Sequence, residues 1–250
     1  MLSRDVLRPL AAWAMGLTAC LSVACVGFPR IGKSFDFFAP PRPDDPFYAK
    51  IQDWQRRARL DAVAVDSPAL DPVRELEPEV APFGMLQQKF EAYLARLKRS
   101  QATAFAAWSQ RQARLHFTSD PPTTLEGDRW PTLNELFRTN GDDCDGLDLI
   151  AYGLLRRAGF RADETYRLVI RRNADGANHM VTLWFEDRED PWVIDATGAT
   201  TIDMVRFSDL PTGWLPRMMF NESEMYNVVR RGEPAVALVR DRPPMMENAR

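Results

Sequence analysis

The sequence has little histidine and fewer usable cysteines than its count suggests. Histidine occurs only at positions 116 and 179, and two of the three cysteines, Cys20 and Cys25, lie in an apolar N-terminal run. No Cys/His grouping has zinc spacing and no glycine-rich phosphate loop is present, which leaves transition-metal and nucleotide chemistry without support. Net charge is scarce too. A formal charge of -3, from 32 basic and 35 acidic residues, supplies no basic field, so no nucleic-acid partner is expected. Pairs such as Arg171-Arg172 and Arg230-Arg231 read as solvated surface. There is no internal repeat. At 250 residues with 45% apolar side chains the chain has room for one full-sized core and a small accessory element, not for two large domains.

What is there begins at the N-terminus. Arg4 and Arg8 precede an almost uncharged run from Pro9 to Phe28, the pattern of an export signal. Within it Leu17-Thr18-Ala19-Cys20 resembles a bacterial lipobox with Cys20 as the lipidated residue, Ser22-Val23-Ala24-Cys25 being the poorer candidate. The alternative is an uncleaved anchor, since about 20 apolar residues just cross a bilayer. Either form tethers the protein to a membrane in the periplasm or cell envelope. Residues 1–28 are thus the signal, lipoprotein segment or anchor. Residues 29–82 read as a proline-rich linker with one short helix at Phe47 to Leu60, 83–240 as the folded domain, and 241–250 as a frayed tail.

From Met85 apolar residues recur at three- and four-residue steps for some thirty positions (Leu86, Phe90, Tyr93, Leu94, Leu97, Ala104, Phe105, Trp108). This predicts one long helix, or two joined near Ser100, with the stripe packed in the core. Thr132 and Glu135 form a capping-box pair for a short helix to Arg138. A further helix begins around Asp143 to Asp145, buries Leu147, Ile150, Ala151, Leu154, Leu155 and Ala158, and stops at Gly159. Beyond Phe160 the period becomes two. Tyr166, Leu168 and Ile170 alternate with Arg167 and Arg171, Asn178 to Glu186 alternates again, and Trp192 to Asp195 follows. Tyr226 to Val229 and Ala235 to Val239 are candidate further strands. The class is α+β, an antiparallel sheet packed on helices.

Cys144 is the lone cysteine of the body, at the first turn of a buried helix, where the dipole and free N–H groups favour a thiolate. A lone cysteine is as often a buried small hydrophobe as a working thiol. A nucleophilic thiol gains from an imidazole, and His179, opening a strand, is better placed than His116 beside the Pro121-Pro122 loop. An acid fixes that imidazole's tautomer. Asp195 would meet His179 across the hairpin if a three-residue loop paired Phe185 with Glu189.

The segments Gly141-Asp142-Asp143-Cys144-Asp145, Asn178-His179-Met180-Val181 and Pro191-Trp192-Val193-Ile194-Asp195-Ala196-Thr197-Gly198 resemble the three signature blocks of the transglutaminase-like superfamily. They are similar above all to the bacterial transglutaminase-like cysteine proteinases, as is Trp130-Pro131-Thr132-Leu133-Asn134-Glu135 ahead of the nucleophile. The resemblance covers roughly Trp130 to Gly198. It implies a papain-like α+β core, a catalytic triad of Cys144, His179 and Asp195, and cleavage of an amide bond in an envelope protein substrate through a thioester. The same acyl-enzyme would serve a transglutaminase if an amine replaced water. A non-catalytic envelope lipoprotein using the fold for binding is the reading from another class. No cofactor is required. Some family members need calcium, bound in a motif Asp-Cys-Glu-Asp; here Asp143 keeps the first acid, Asp145 shortens the second and Gly146 removes the third. Asp143 and Asp145 remain as calcium ligands with Asp142 or Asp148 as substitutes, and helix capping is the competing role for these acids. The second oxyanion donor, beside the Cys144 N–H, could come from Asn140, Trp130 or elsewhere.

Overall fold

A computed structural model of the chain describes residues 34–64, 84–119 and 128–232. The signal segment with Cys20 and Cys25, the stretch 65–82, the strand expected at Ala235 to Val239 and the tail 241–250 lie outside the described residues. None of the described helices is long and apolar enough to cross a membrane.

Seven antiparallel strands form one sheet in the order β1-β7-β6-β2-β3-β4-β5, where β1 is Phe35–Ala39, β2 Thr165–Arg172, β3 Asn178–Trp184, β4 Trp192–Ile194, β5 Val205–Arg206, β6 Trp214–Phe220 and β7 Met225–Arg230. The sheet curls. Phe35 and Phe37 of one edge stack edge-on against Phe207, which follows the opposite edge strand, at ring distances of 5.7 and 5.0 Å. Inside that curl the alternating residues Tyr166, Leu168, Ile170, Val181, Leu183, Val193 and Met219 make one core. The other face, through Val169, Met180, Met218 and Phe220, packs against α1 (Tyr48–Ala64), α3 (Leu133–Thr139) and α4 (Cys144–Arg157). A mixed α+β class with helices on an antiparallel sheet is what the alternation implied.

Three expectations change. The segment read as a spacer with a short helix supplies an edge strand and a 17-residue helix whose Ile51 and Trp54 are buried in the core, because their spacing forms a true apolar face. Arg167, read only as alternating with the apolar residues of its strand, is fully buried on the sheet's other face. The stripe of α2 (Gly84–His116), one uninterrupted helix, does not face the core: Leu86, Phe90, Tyr93, Leu97 and Trp108 are exposed, and Ala102, Ala106, Ser109 and Ala113 are buried instead. Small residues let α2 approach the body closely, and that contact decided the face. The capping box at Thr132 and Glu135 and the positive φ of 85° at Gly159 are as expected.

Candidate active site

Cys144 is the first residue of α4. Asp143 is its N-cap, its Oδ1 accepting the Asp145 N–H at 3.1 Å, and Asp142 Oδ1 accepts the Asp143 N–H at 2.9 Å. The helix-capping role expected of this cluster is therefore filled by Asp143. The loop before it is held by His116, whose Nδ1 meets the Asn140 carbonyl at 2.8 Å and whose own carbonyl accepts the Asp142 N–H at 3.2 Å. A side chain at Gly141 would begin 2.5 Å from that His116 carbonyl oxygen, so glycine is needed for the close approach. His116 thus has a structural task.

Arg167, which sequence reasoning missed, fastens the first turn of α4 to β2. Its Nε donates to Asp148 Oδ2 at 2.9 Å, Nη2 donates to the Asp145 carbonyl, and the guanidinium lies against the rings of both Trp54 and Phe220, at 4.9 and 5.3 Å. Charge-assisted bonds and two aromatic faces offset part of the desolvation of this buried cation. Thr182 Oγ1 donates to the other Asp148 oxygen at 2.6 Å. With both oxygens engaged inside the core, Asp148 is not a substitute metal ligand. The available signal was slight: an arginine between Tyr166 and Leu168 in the apolar part of a strand, with an acid one turn into the preceding helix.

His179 is the second residue of β3, paired with Ile170 and part-stacked on Trp214 at 5.6 Å. The pairing of Phe185 with Glu189 is not formed. Instead Thr182 faces Ile194 and Trp184 faces Trp192, which puts position 195 opposite Val181, two residues from His179. The carboxylate still arrives, because Asp195 sits past the end of β4 in a turn: Oδ1 lies 3.1 Å from His179 Nε2. That oxygen also accepts the N–H groups of Thr197 and Gly198, each at 3.0 Å, while Oδ2 accepts the Thr200 N–H at 2.7 Å and its hydroxyl at 2.8 Å. Gly198, at φ 75°, permits that wrap. The buried Gln110 of α2 donates to the Asp195 carbonyl at 2.9 Å. Burial works against the Asp195 charge, but the bond and charge of His179 and the Thr200 donors outweigh it and hold the carboxyl at about 2.

Cys144 is half-buried rather than sealed. The Met180 backbone N–H hydrogen-bonds to it, which brings the sulfur beside the strand residue that follows His179. The expected lowering of its pKa does not survive the surroundings. Desolvation pushes the thiol well up, Asp143, Asp145 and Asp148 push the same way, and only the Met180 donor opposes them. Asp145 is raised to about 8 by burial and by Asp143 and Asp128, against the pull of Arg167. Oxygens of Asp142, Asp143 and Asp145 lie within 4.8 Å of one another. A Cβ on Gly146 would fall 2.3 Å from Asp142 Oδ2, so the Asp142 carboxylate fills the space where a residue-146 side chain would start.

No protein-family model and no curated protein sequence matches the chain. Among solved structures it is similar to Legionella pneumophila LapG. The calcium-bound form matches with TM-score 0.45 and 17% identity over 74% of this chain and 93% of LapG. An EGTA-treated form matches with TM-score 0.44 and 19% identity over 52% and 67% respectively.

Proposed function

We propose that the chain is a cysteine hydrolase that cleaves an amide bond in a protein substrate of the cell envelope. Cys144 would be the nucleophile, His179 the general base and then acid, and Asp195 the group that orients the imidazole. The observation that carries this reading is the 3.1 Å contact of His179 Nε2 with a carboxylate locked by five further donors, the Thr197 hydroxyl at 2.9 Å among them. An imidazole that donates through Nε2 keeps its lone pair on Nδ1, the tautomer needed to take a thiol proton. The thiol gives its proton to His179 and the sulfur attacks the carbonyl carbon. The imidazolium then returns that proton to the leaving amine, and water, deprotonated by the same ring, opens the thioester. Asp195 stays ionised throughout and stabilises the imidazolium.

Calcium fits this proposal through Asp142, Asp143 and Asp145, an all-oxygen set whose 4.8 Å spread suits bonds of about 2.4 Å to one hard cation. A bound cation would neutralise carboxylates that oppose a thiolate at Cys144. Adding calcium is expected to raise the melting temperature of the wild type and to leave that of Asp145→Asn unchanged.

The envelope location is proposed from Arg4, Arg8 and the apolar run with Cys20. Iodoacetamide labelling tests the thiol: rapid modification at neutral pH that collapses in His179→Ala supports the reading. Modification only at strongly alkaline pH in both proteins favours an inert cysteine in a binding module. Envelope profiles of cells carrying wild type or Cys144→Ala should differ by a protein that accumulates uncut in the variant. Incorporation of a labelled amine in place of cleavage would assign transfer.

A further inference from the structure

Among the described residues, the exposed face of α2 is a large feature that the proposed chemistry leaves unused. At about 100° per residue, Leu86, Phe90, Tyr93, Leu97 and Trp108 fall within one narrow band, roughly opposite the band of Ala102, Ala106, Ser109 and Ala113 that meets the body. Leu86 is 73% exposed, Phe90 58% and Leu97 48%. Over about 33 Å of helix, large apolar side chains point to solvent, far more than scattered surface residues explain.

The charges decide what covers them. Glu91 is the only acid in α2, and it lies toward the buried side, whereas Lys89, Arg96 and Arg114 border the stripe on one flank and Arg111 falls within its edge; Lys98, toward the body, pairs with Glu164 at 3.1 Å. A second copy is a poor occupant. The spacing Leu86, Phe90, Tyr93, Leu97 makes a coiled-coil seam whose edge positions are Lys89 and Arg96, and an antiparallel pairing would set these like charges against each other. A parallel pairing would offer them only Leu94 and Gln101. An anionic lipid surface satisfies both halves of the pattern: the rings and leucines enter the acyl boundary and the cationic rim meets the headgroups.

We infer that α2 lies in the plane of an anionic membrane surface and sets the orientation of the domain on it. The N-terminal apolar run, whichever form it takes, supplies attachment; α2 supplies a fixed face.

Flotation of the chain from residue 29 onward, which keeps every described residue of the core, with vesicles of phosphatidylcholine alone, or with a quarter phosphatidylglycerol, tests this. With the N-terminal run removed, attachment by that run no longer masks the binding that α2 supplies. Phe90→Ser/Leu97→Ser and Lys89→Glu/Arg96→Glu are each expected to lower partition onto the anionic vesicles at least tenfold, and 0.5 M salt to lower that of the wild type, a screened interaction at that ionic strength. Without vesicles, both variants should stay monomeric with unchanged melting temperature. Equal partition of variants and wild type overturns the inference, as does equal binding to the two vesicle types. So does a wild-type dimer that the serine variant splits, which would assign a second copy, or a fall in melting temperature without lipid, which would assign another segment of the chain. Cys144→Ala, which tests the catalytic reading, leaves partition unchanged, so the two can fail separately.

Discussion

Helices α2 and α4 carry equally plain helical periodicity and use it in opposite ways. α4 turns Leu147, Leu149, Tyr152 and Leu155 inward. α2 turns alanines inward and, apart from the partly buried Phe105, its leucines and aromatic rings outward. Periodicity reports that a helix has two unlike faces; which of them meets the body depends on the partner surface. α4 must fill space between sheet and helices, so large side chains serve it, whereas α2 lies over Ala151 and Leu155 of α4 and over Trp184, where bulk would hold it off. The site follows the same division. The proposed nucleophile Cys144 belongs to α4, and the carbonyl of Asp195 is held by Gln110 on the inward side of α2.

The largest effect that sharpens this contrast is chemical. Cys144→Ala at the head of α4 is expected to lower cleavage of the accumulating envelope protein by ~10³-fold or more, with stability changed by less than ~0.5 kcal/mol. Next comes the clamp that holds that helix end. Arg167→Met leaves Asp148 buried without its cation, and urea unfolding should show a loss of ~3–5 kcal/mol. A loss under about 1 kcal/mol would mean that α4 is positioned by packing alone.

Acid is the third lever. The Asp195 carboxyl sits at about 2 in the fold against 3.8 ordinarily, so the unfolded chain binds more protons between those values. Its contribution, ~2 kcal/mol, is fully present above pH 4 and is lost as pH falls through 2. Asp195→Asn should flatten the stability profile in that window and leave the slope above pH 5 unchanged.

Much of the site was legible because its parts are local. The cap at Asp143, the turn at Asn140-Gly141 and the strand opening at His179 are written in consecutive residues. What escaped needed partners distant in sequence. The ion pair of Arg167 with Asp148 spans 19 positions, and the desolvation that pushes the Cys144 thiol up, with three carboxylates acting the same way, arises only once the fold has buried the sulfur. The β3–β4 register was missed by two because the connection is longer than a tight hairpin, and the Asp195 turn recovers the contact that the strand pairing does not supply. β6 escaped for another reason. Pro216 interrupts its pattern, and it sits where the β2–β6 pairing skips a residue between Val169 and Ile170, the kind of bulge that admits proline in a sheet.

The smallest effect is the most direct test of the contrast between the two helices. If α2 is fixed by its small face, Ala106→Leu must force bulk between α2 and α4, and unfolding should show a loss of ~1–3 kcal/mol from overpacking. Removing bulk from the other face should cost almost nothing: Leu97→Ala, at a side chain already 48% exposed, is expected to stay within ~0.5 kcal/mol of wild type. Ordinary sequence logic ranks these two substitutions the other way, since a leucine-to-alanine change in an apolar stripe reads as a core truncation worth ~2–5 kcal/mol. A large loss at Leu97 with none at Ala106 would mean that α2 is rotated by half a turn about its axis, and its apolar face would then belong to the core after all.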